Sequence, residues 1–207
     1  MTGRPVSRAA ETQAFETRAP DGRELVHPET VDQWHAWLAQ HHRRPGGIWL
    51  VQWKPRTGKP GIPYEDAIEE ALCYGWIDST YRSLDDERGM LWYSPRRKGS
   101  VWARSNKARV ERLEAEGRMT DAGRAVIERA KADGSWSLLE PVEDLVVPDD
   151  LAAALDARAG ARTNWDSFPP TAQRAFLLWI VTAKREETRR KRVDESADLV
   201  QQGKRLG

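Results

Sequence analysis

The chain has 207 residues with 33 lysines and arginines against 32 aspartates and glutamates, so its formal net charge is only +1. This balance excludes a globally polycationic or polyanionic surface, and arguments about partners have to be local. The apolar share is close to that of ordinary folded domains, and no apolar run approaches the ~18 residues that a membrane span requires. We expect a globular protein that does not insert into a membrane.

The first half of the chain alternates helix and strand patterns. Residues 31–42 carry an apolar stripe at helical spacing, whereas residues 47–53 (GIWLVQW) are apolar on both alternating faces and predict an interior strand. Residues 63–74 have a regular apolar stripe with proline at the start and glycine just past the end, which predicts a helix. Residues 76–82 and 90–94 are rich in β-formers and predict an antiparallel hairpin.

Helical signals dominate from Ser100 onward. Ser100 and Thr120 are predicted N-caps, and prolines open two further helices. The run FLLWIV is apolar all round, which predicts a fully buried helix. The expected helices cover residues 101–116, 121–132, 149–158, 171–183 and 186–202.

These patterns predict an α+β fold, with a small antiparallel sheet and helices in the N-terminal half and a mostly helical C-terminal half. We expect a flexible tail over residues 1–23, which contain no apolar signal segment. An α+β lobe over residues 24–136 and a helical lobe over 137–207 packed on it should follow.

The lone Cys73 cannot form an internal disulfide, and it lies in a well-patterned helix where cysteine packs as a small hydrophobe. The four histidines, His27, His35, His41 and His42, lack metal-ligand spacing. We therefore expect a cytoplasmic protein with no metal and no cofactor.

Net charge near zero conceals strong segregation. Residues 96–109 contain six basic side chains and no acid, and residues 184–192 contain six basic side chains against two glutamates, whereas residues 65–87 and 140–156 are acidic. Arg96 to Lys98 are predicted to lie beside the N-terminus of the following helix, where anions bind. Two interpretations stay open: a site for an anionic ligand, or internal neutralisation of the acidic segments.

Tryptophan, with 10 residues, outnumbers phenylalanine and tyrosine together. Trp76, Trp92 and Trp102 surround the first basic segment, where they could stack on a flat ligand or pair with arginines. Asp78 follows Trp76 on a predicted strand and is either an acid/base group paired with Arg96 or Arg97, or an ordinary outward-facing residue. Asn106 is a further polar candidate inside a helix.

Three segments resemble the bacterial YdeI/OmpD-associated family, also called bacteriocin-protection proteins: EALCYGWIDS (70–79), SPRRKGSVWARSNKARVERLEAEGRM (94–119) with AGRAVIERAKADGSW (122–136), and WIVTAKREETRRKRV (179–193). The resemblance spans roughly residues 24–206. It implies a role in resistance to bacteriocins or cationic antimicrobial peptides, and it brings no catalytic residues. Matching positions are Trp76, Asp78, Pro95, Arg96, Arg97, Ser100, Trp102, Asn106, Arg109, Trp179, Lys184, Glu187, Thr188 and Arg189.

The leading hypothesis is a pocket for a small anionic or aromatic molecule. Asp78 is the candidate acid/base, should any reaction occur, and the candidate ligand-binding residues are Trp76, Arg96, Arg97, Ser100, Trp102, Asn106, Arg109, Lys184, Glu187 and Thr188. The alternatives are single-stranded nucleic-acid binding or a protein interaction through the basic segments 96–109 and 184–192.

Overall fold

The computed structural model describes residues 18–206, and these form two compact units. Of these residues, the first unit comprises 18–96 together with 120–123, and the second comprises 97–119 together with 124–206. Of the predicted flexible tail, residues 1–17 lie outside the described residues. The remainder begins with a turn closed by a bridge between Arg18 and Glu24.

The first unit carries the sheet and two helices. Its elements in chain order are β1 (Leu25–Val26), α1 (Val31–His41), β2 (Ile48–Trp53), α2 (Tyr64–Cys73), β3 (Trp76–Ser83) and β4 (Arg88–Pro95). The predicted strands and helices of this region are confirmed to within a few residues. The two-residue strand β1 was not predicted, because so short a segment has no detectable period.

The four strands form one sheet in the order β1-β2-β4-β3. Strand β2 pairs antiparallel with β4, from Ile48 opposite Tyr93 to Trp53 opposite Arg88, and β3 pairs antiparallel with β4. Strand β1 pairs parallel with β2, so the sheet is mixed rather than wholly antiparallel. The interior position predicted for β2 is confirmed, and its first four residues are buried, as expected for a strand apolar on both faces.

Buried indoles join the helices of the first unit to their surroundings. The Trp34 Nε1–H of α1 donates to the Ala67 carbonyl of α2 at 3.0 Å, and the Trp76 Nε1–H of β3 donates to the His42 carbonyl at 3.0 Å. Both rings are fully buried. A buried indole N–H requires a partner, so these bonds fix α1 against α2 and the start of β3.

The second unit is helical. Its helices are α3 (Arg104–Ala115), α4 (Asp121–Ala132, whose first three residues belong to the first unit), α5 (Glu140–Glu143), α6 (Asp149–Asp156), α7 (Ala161–Ser167), α8 (Pro170–Val181) and α9 (Glu186–Gln201). The short helices α5 and α7 were not predicted. The α+β class is confirmed, with the sheet in the N-terminal half and helices over the rest.

The core of the second unit lies among α5 to α9. Its largest buried members include Trp165, Phe176 and Leu155. The prediction that α8 is buried all round is wrong: Leu178 is 41% exposed, and Trp179 is half-buried beneath the Arg192 guanidinium. One face of α8 therefore lies at the surface of this unit despite its apolar sequence. No helix within residues 18–206 is long and apolar enough to cross a membrane.

Close packing of β2 on β4 predicts a strict requirement for glycine at position 47. A Cβ there would lie 2.5 Å from Trp92 Cζ2 and would also meet the Tyr93 carbonyl oxygen, so Gly47→Ala should lower the free energy of unfolding by about 1–3 kcal/mol in urea titrations. The matched control is Gly46→Ala, because nothing lies within 4 Å of a Cβ at Gly46. Equal stability of the two variants would contradict the prediction.

The ion pair between α6 and α9 predicts a pH-dependent contribution to stability. The Arg189 Nε–H and Nη2–H donate to the two Asp150 carboxylate oxygens at 2.7 and 3.0 Å. Burial raises the pKa of Asp150, but the hydrogen bonds and charge of Arg189 outweigh burial and leave that pKa lowered. A carboxyl whose folded pKa is lowered stabilises the fold above its unfolded pKa, about 3.9, and loses this contribution as pH falls through the folded value.

We therefore expect Asp150→Asn to be destabilised relative to wild type in urea titrations at pH 7, with the difference shrinking at pH 4 and below. Asp149→Asn is the matched control, since Asp149 lies in the same first helical turn and has no ion pair among residues 18–206. A difference between the two variants that stays constant from pH 7 to pH 3 would refute the assignment.

Candidate functional site

Three predicted site residues lie in the first unit. Asp78 is half-buried on β3 and accepts a hydrogen bond from the Tyr64 hydroxyl at 3.0 Å. Arg96 is 5% exposed, and burial lowers its pKa to about 10 while the Asp78 carboxylate opposes that effect. The negative charge of Asp78 therefore favours the charged form of Arg96, and a role for Asp78 as an acid or base stays a prediction.

Trp76 does not face solvent. It is fully buried, its N–H is bonded to His42, and its ring packs edge-on against Trp37 with centroids 5.7 Å apart. Trp102, in the second unit, is 1% exposed and packs against Trp136 at 4.9 Å. The structure thus corrects the expectation that these two rings form a stacking wall, because both are used in core packing.

Ser100 is not the cap of the third helix. Its hydroxyl oxygen accepts the Arg97 backbone N–H at 3.1 Å within a tight turn, and the helix begins only at Arg104, after an extended segment. In this extended segment Trp102 is buried and Val101 is half-buried. The N-cap predicted at Ser100 is therefore wrong, whereas Thr120 accepts the Gly123 N–H at 3.3 Å as predicted.

An acidic helix occupies the N-terminus of α3, where an anionic ligand was expected. The Glu143 carboxylate accepts the Arg104 backbone N–H at 2.8 Å, and the Arg104 guanidinium donates to Asp144 at 2.7 Å. Lys107 is only 8% exposed, and its Nζ donates to the Glu140 carboxylate at 2.6 Å. Two of the six basic side chains of segment 96–109 are therefore paired with carboxylates of α5 and of the residue after it, which favours the second of the two interpretations that the sequence left open.

The other predicted site residues of the second unit are either exposed or half-buried. Asn106 accepts a hydrogen bond from Arg109 at 2.9 Å one helical turn away, and both are half-buried. At the start of α9, Lys184 and Glu187 are exposed and Thr188 is half-buried. Arg97 is exposed.

A cavity of about 490 Å³ lies in the first unit, between the end of α1, the end of α2 and the start of α4. Its lining consists of His42, Arg43, Tyr74, Thr120, Asp121 and Ala122. The volume is within the range of small-molecule sites. Most of the surface area that these residues present to the cavity is apolar. The sequence analysis named only two of these residues, Thr120 as a helix cap and His42 as a histidine without metal-ligand spacing, and neither as a binding residue.

The polar groups of this cavity are fixed by the backbone around them. The His42 Nδ1 lies 3.1 Å from the Leu38 carbonyl oxygen, which can only accept, so Nδ1 carries a proton and Nε2 is left to a further partner. The Thr120 hydroxyl donates to the Cys73 carbonyl at 2.5 Å. Arg43 is exposed and supplies the positive charge, and Asp121 supplies one negative charge.

A chain of three polar side chains leads from the surface of α1 to this cavity. The Glu70 carboxylate lies 2.8 Å from His35 Nδ1, and His35 Nε2 lies 3.2 Å from the Tyr74 hydroxyl. A carboxylate can only accept, so Nδ1 carries a proton, and in the neutral imidazole Nε2 then accepts from the phenol. Glu70 is 7% exposed and Tyr74 is 9% exposed.

Burial raises the pKa of Tyr74, and the Glu70 carboxylate and Cys73 raise it further. The phenol is therefore the dominant form at neutral pH, and it keeps its proton unless a neighbouring base takes it.

No signal in the sequence predicts this chain of side chains. His35, Glu70 and Tyr74 are separated by 35 and 4 positions, and Glu70 lies off the apolar stripe of α2 that predicted its buried face. The position of Glu70 next to the apolar stripe is the one feature of the sequence that could have suggested a polar network. A carboxylate that is buried there needs a hydrogen-bond or ion-pair partner.

A second cavity, of about 570 Å³, lies in the second unit and is less suited to an anion. Its charged lining consists of Glu111, Glu114, Arg124, Glu128 and Lys131, of which Arg124 pairs with Glu114 and Lys131 with Glu128. Three carboxylates against two cations give it a negative balance. Within residues 18–206, no group of three or more His, Cys, Asp or Glu side chains is arranged to hold a metal ion.

Comparisons with known families divide the chain in two. Residues 26–126 match a family described as a domain of unknown function (DUF8412), and residues 144–203 match the family described as bacteriocin-protection, YdeI or OmpD-associated. No curated protein and no solved structure matches the chain. The first match contains the segments 70–79 and 94–119, whereas the second contains 179–193. The predicted resemblance to the YdeI/OmpD-associated family is therefore confirmed over residues 144–203 of this chain.

Proposed function

We propose that the protein binds a small molecule with one negative charge and an apolar body, in the cavity lined by His42, Arg43, Tyr74 and Thr120. The observation that carries the proposal is the cavity itself, which combines about 490 Å³ of space, a mainly apolar lining and one exposed arginine. Pockets of this size with few polar groups are the usual form of small-molecule sites.

Charge at the cavity selects the kind of ligand. Arg43 can bind a carboxylate or phosphate through two parallel hydrogen bonds, and the N-terminus of α4 favours negative charge nearby. Asp121 in the first turn of α4 opposes a second negative charge. The lining therefore supports a monoanion, such as an aromatic carboxylate or a phosphate monoester, over a polyphosphate or a nucleic acid.

The family match over residues 144–203 supports a role for this binding in protection against bacteriocins, the property named in the family description. The cytoplasmic location expected from the sequence and a catalytic role for Asp78 stay predictions. The nucleic-acid alternative loses support from the second unit, where Arg104 and Lys107 of the basic segment already pair with carboxylates.

Thermal unfolding tests the proposal on wild type, Arg43→Ala and Arg97→Ala, with benzoate, phenyl phosphate and a 12-nucleotide oligothymidylate at two salt concentrations. We expect benzoate or phenyl phosphate to raise the Tm of wild type and Arg97→Ala but not of Arg43→Ala. A ligand at 100 times its Kd stabilises by about 2.7 kcal/mol, which such a measurement resolves. Arg97 is the matched control, since it is an exposed arginine outside the cavity lining.

Two results would overturn the proposal. The first is an equal Tm shift in wild type and Arg43→Ala, because the ligand would then bind elsewhere. The second is a shift with oligothymidylate alone that falls steeply as salt rises, which is the signature of counterion release from phosphates.

A further inference from the structure

We propose that Glu70, His35 and Tyr74 form a proton relay that activates the Tyr74 hydroxyl as a nucleophile toward an ester with one negative charge. The inference rests on the proposed function for the place and charge of the substrate. The relay itself rests on the contacts between the three side chains.

The geometry has the order of a nucleophile, a base and an orienting carboxylate. The Tyr74 hydroxyl lies 3.2 Å from His35 Nε2, and His35 Nδ1 lies 2.8 Å from the Glu70 carboxylate. Such an order fixes the imidazole tautomer and stabilises the imidazolium that forms when the base takes a proton. Tyr74 is the member of the three that lines the cavity.

The two helices hold the relay in place. His35 lies on α1 and Glu70 on α2, and Tyr74 is the C-cap residue of α2, so the pair of helices fixes all three backbones. The Trp34–Ala67 hydrogen bond joins these helices one position before His35. The His35 and Tyr74 rings meet edge to face, with centroids 5.5 Å apart. The side chains are thus placed on rigid elements rather than on loops.

The high pKa of the Tyr74 phenol makes the base necessary. Burial, Glu70 and Cys73 all disfavour the tyrosinate, so unassisted attack by Tyr74 should be slower than attack by an exposed tyrosine. His35 removes this barrier when it accepts the proton as the new bond forms. The nearby N-terminal turn of α4 favours the negative charge that develops on the substrate oxygen.

The reaction balances without a cofactor. The Tyr74 oxygen forms a bond to the acyl carbon, the phenolic proton passes to His35 Nε2, and the ester carbon–oxygen bond breaks. The leaving alkoxide takes the proton from the imidazolium. Water then hydrolyses the tyrosyl ester by the reverse proton path, with His35 again as the base.

Sulfonyl fluorides test the activation directly, since the tyrosine oxygen forms a bond to sulfur, fluoride leaves and the phenolic proton goes to the base. The full chain is treated with neutral benzenesulfonyl fluoride, and the rate of modification at each tyrosine is followed by peptide mass spectrometry. Tyr81, which is 62% exposed, is the internal control, and Tyr74→Phe confirms the modified position.

We expect Tyr74 to react at least about tenfold faster than Tyr81 despite its burial, because a positioned general base contributes roughly a hundredfold or more. His35→Gln keeps hydrogen-bonding capacity but cannot take a proton, so the Tyr74 rate should fall below that of Tyr81 while the Tyr81 rate and the Tm stay unchanged. The His35 side chain is 53% exposed, which makes this variant safe for folding. Glu70→Gln should lower the Tyr74 rate by a smaller factor.

The relay is refuted if Tyr74 reacts no faster than Tyr81 in wild type, or if His35→Gln leaves the Tyr74 rate unchanged. The anionic probe 4-(fluorosulfonyl)benzoate separates this outcome from the proposed function. A preference for this probe that Arg43→Ala removes supports the anion site. No preference for it, together with a His35-dependent rate for the neutral probe, would overturn the anion site and retain the relay.

Discussion

The first unit depends on the burial of indole rings whose N–H groups must find acceptors. Trp34 bonds to the Ala67 carbonyl and Trp76 to the His42 carbonyl, while Trp49 bonds to the Asp21 carboxylate at 3.2 Å. Phenylalanine would fill similar volumes but would leave these acceptors without a donor and the helices without a fixed offset. This requirement accounts for part of the tryptophan excess, and it also sets the distance between α1 and α2 on which the cavity and the relay depend.

The second unit illustrates why a dense run of basic residues is a weak predictor of an anionic partner. The chain supplies its own anions: Glu140, Glu143 and Asp144 meet Arg104 and Lys107, and Asp150 meets Arg189. The acidic segment 140–156 is thus partly matched by the basic segments 96–109 and 184–192 inside the second unit. Nearly equal numbers of acidic and basic residues, which give the net charge of +1, make such local pairing possible.

The cavity and the family match lie in different parts of the chain. The cavity lies in the first unit, and all of its lining residues fall within the match to the domain of unknown function. The bacteriocin-protection match covers α6 to α9 and the loops beside them. The proposed binding site and the segment that matches the bacteriocin-protection family are therefore separate in the sequence.

Local patterns in the sequence determined most of the secondary structure, because periodicity, proline starts and glycine stops act within a few residues. They predicted α1, α2, the β3–β4 hairpin and α9 closely. They failed at Ser100, because tertiary packing decides where α3 begins, and at Leu178, because tertiary packing decides which face of α8 is exposed. Only the tertiary structure decided that Glu143 caps α3 and that His35 meets Glu70 and Tyr74. Such contacts join residues 35 to 39 positions apart, and their partners are determined by helix packing rather than by any local preference of the chain.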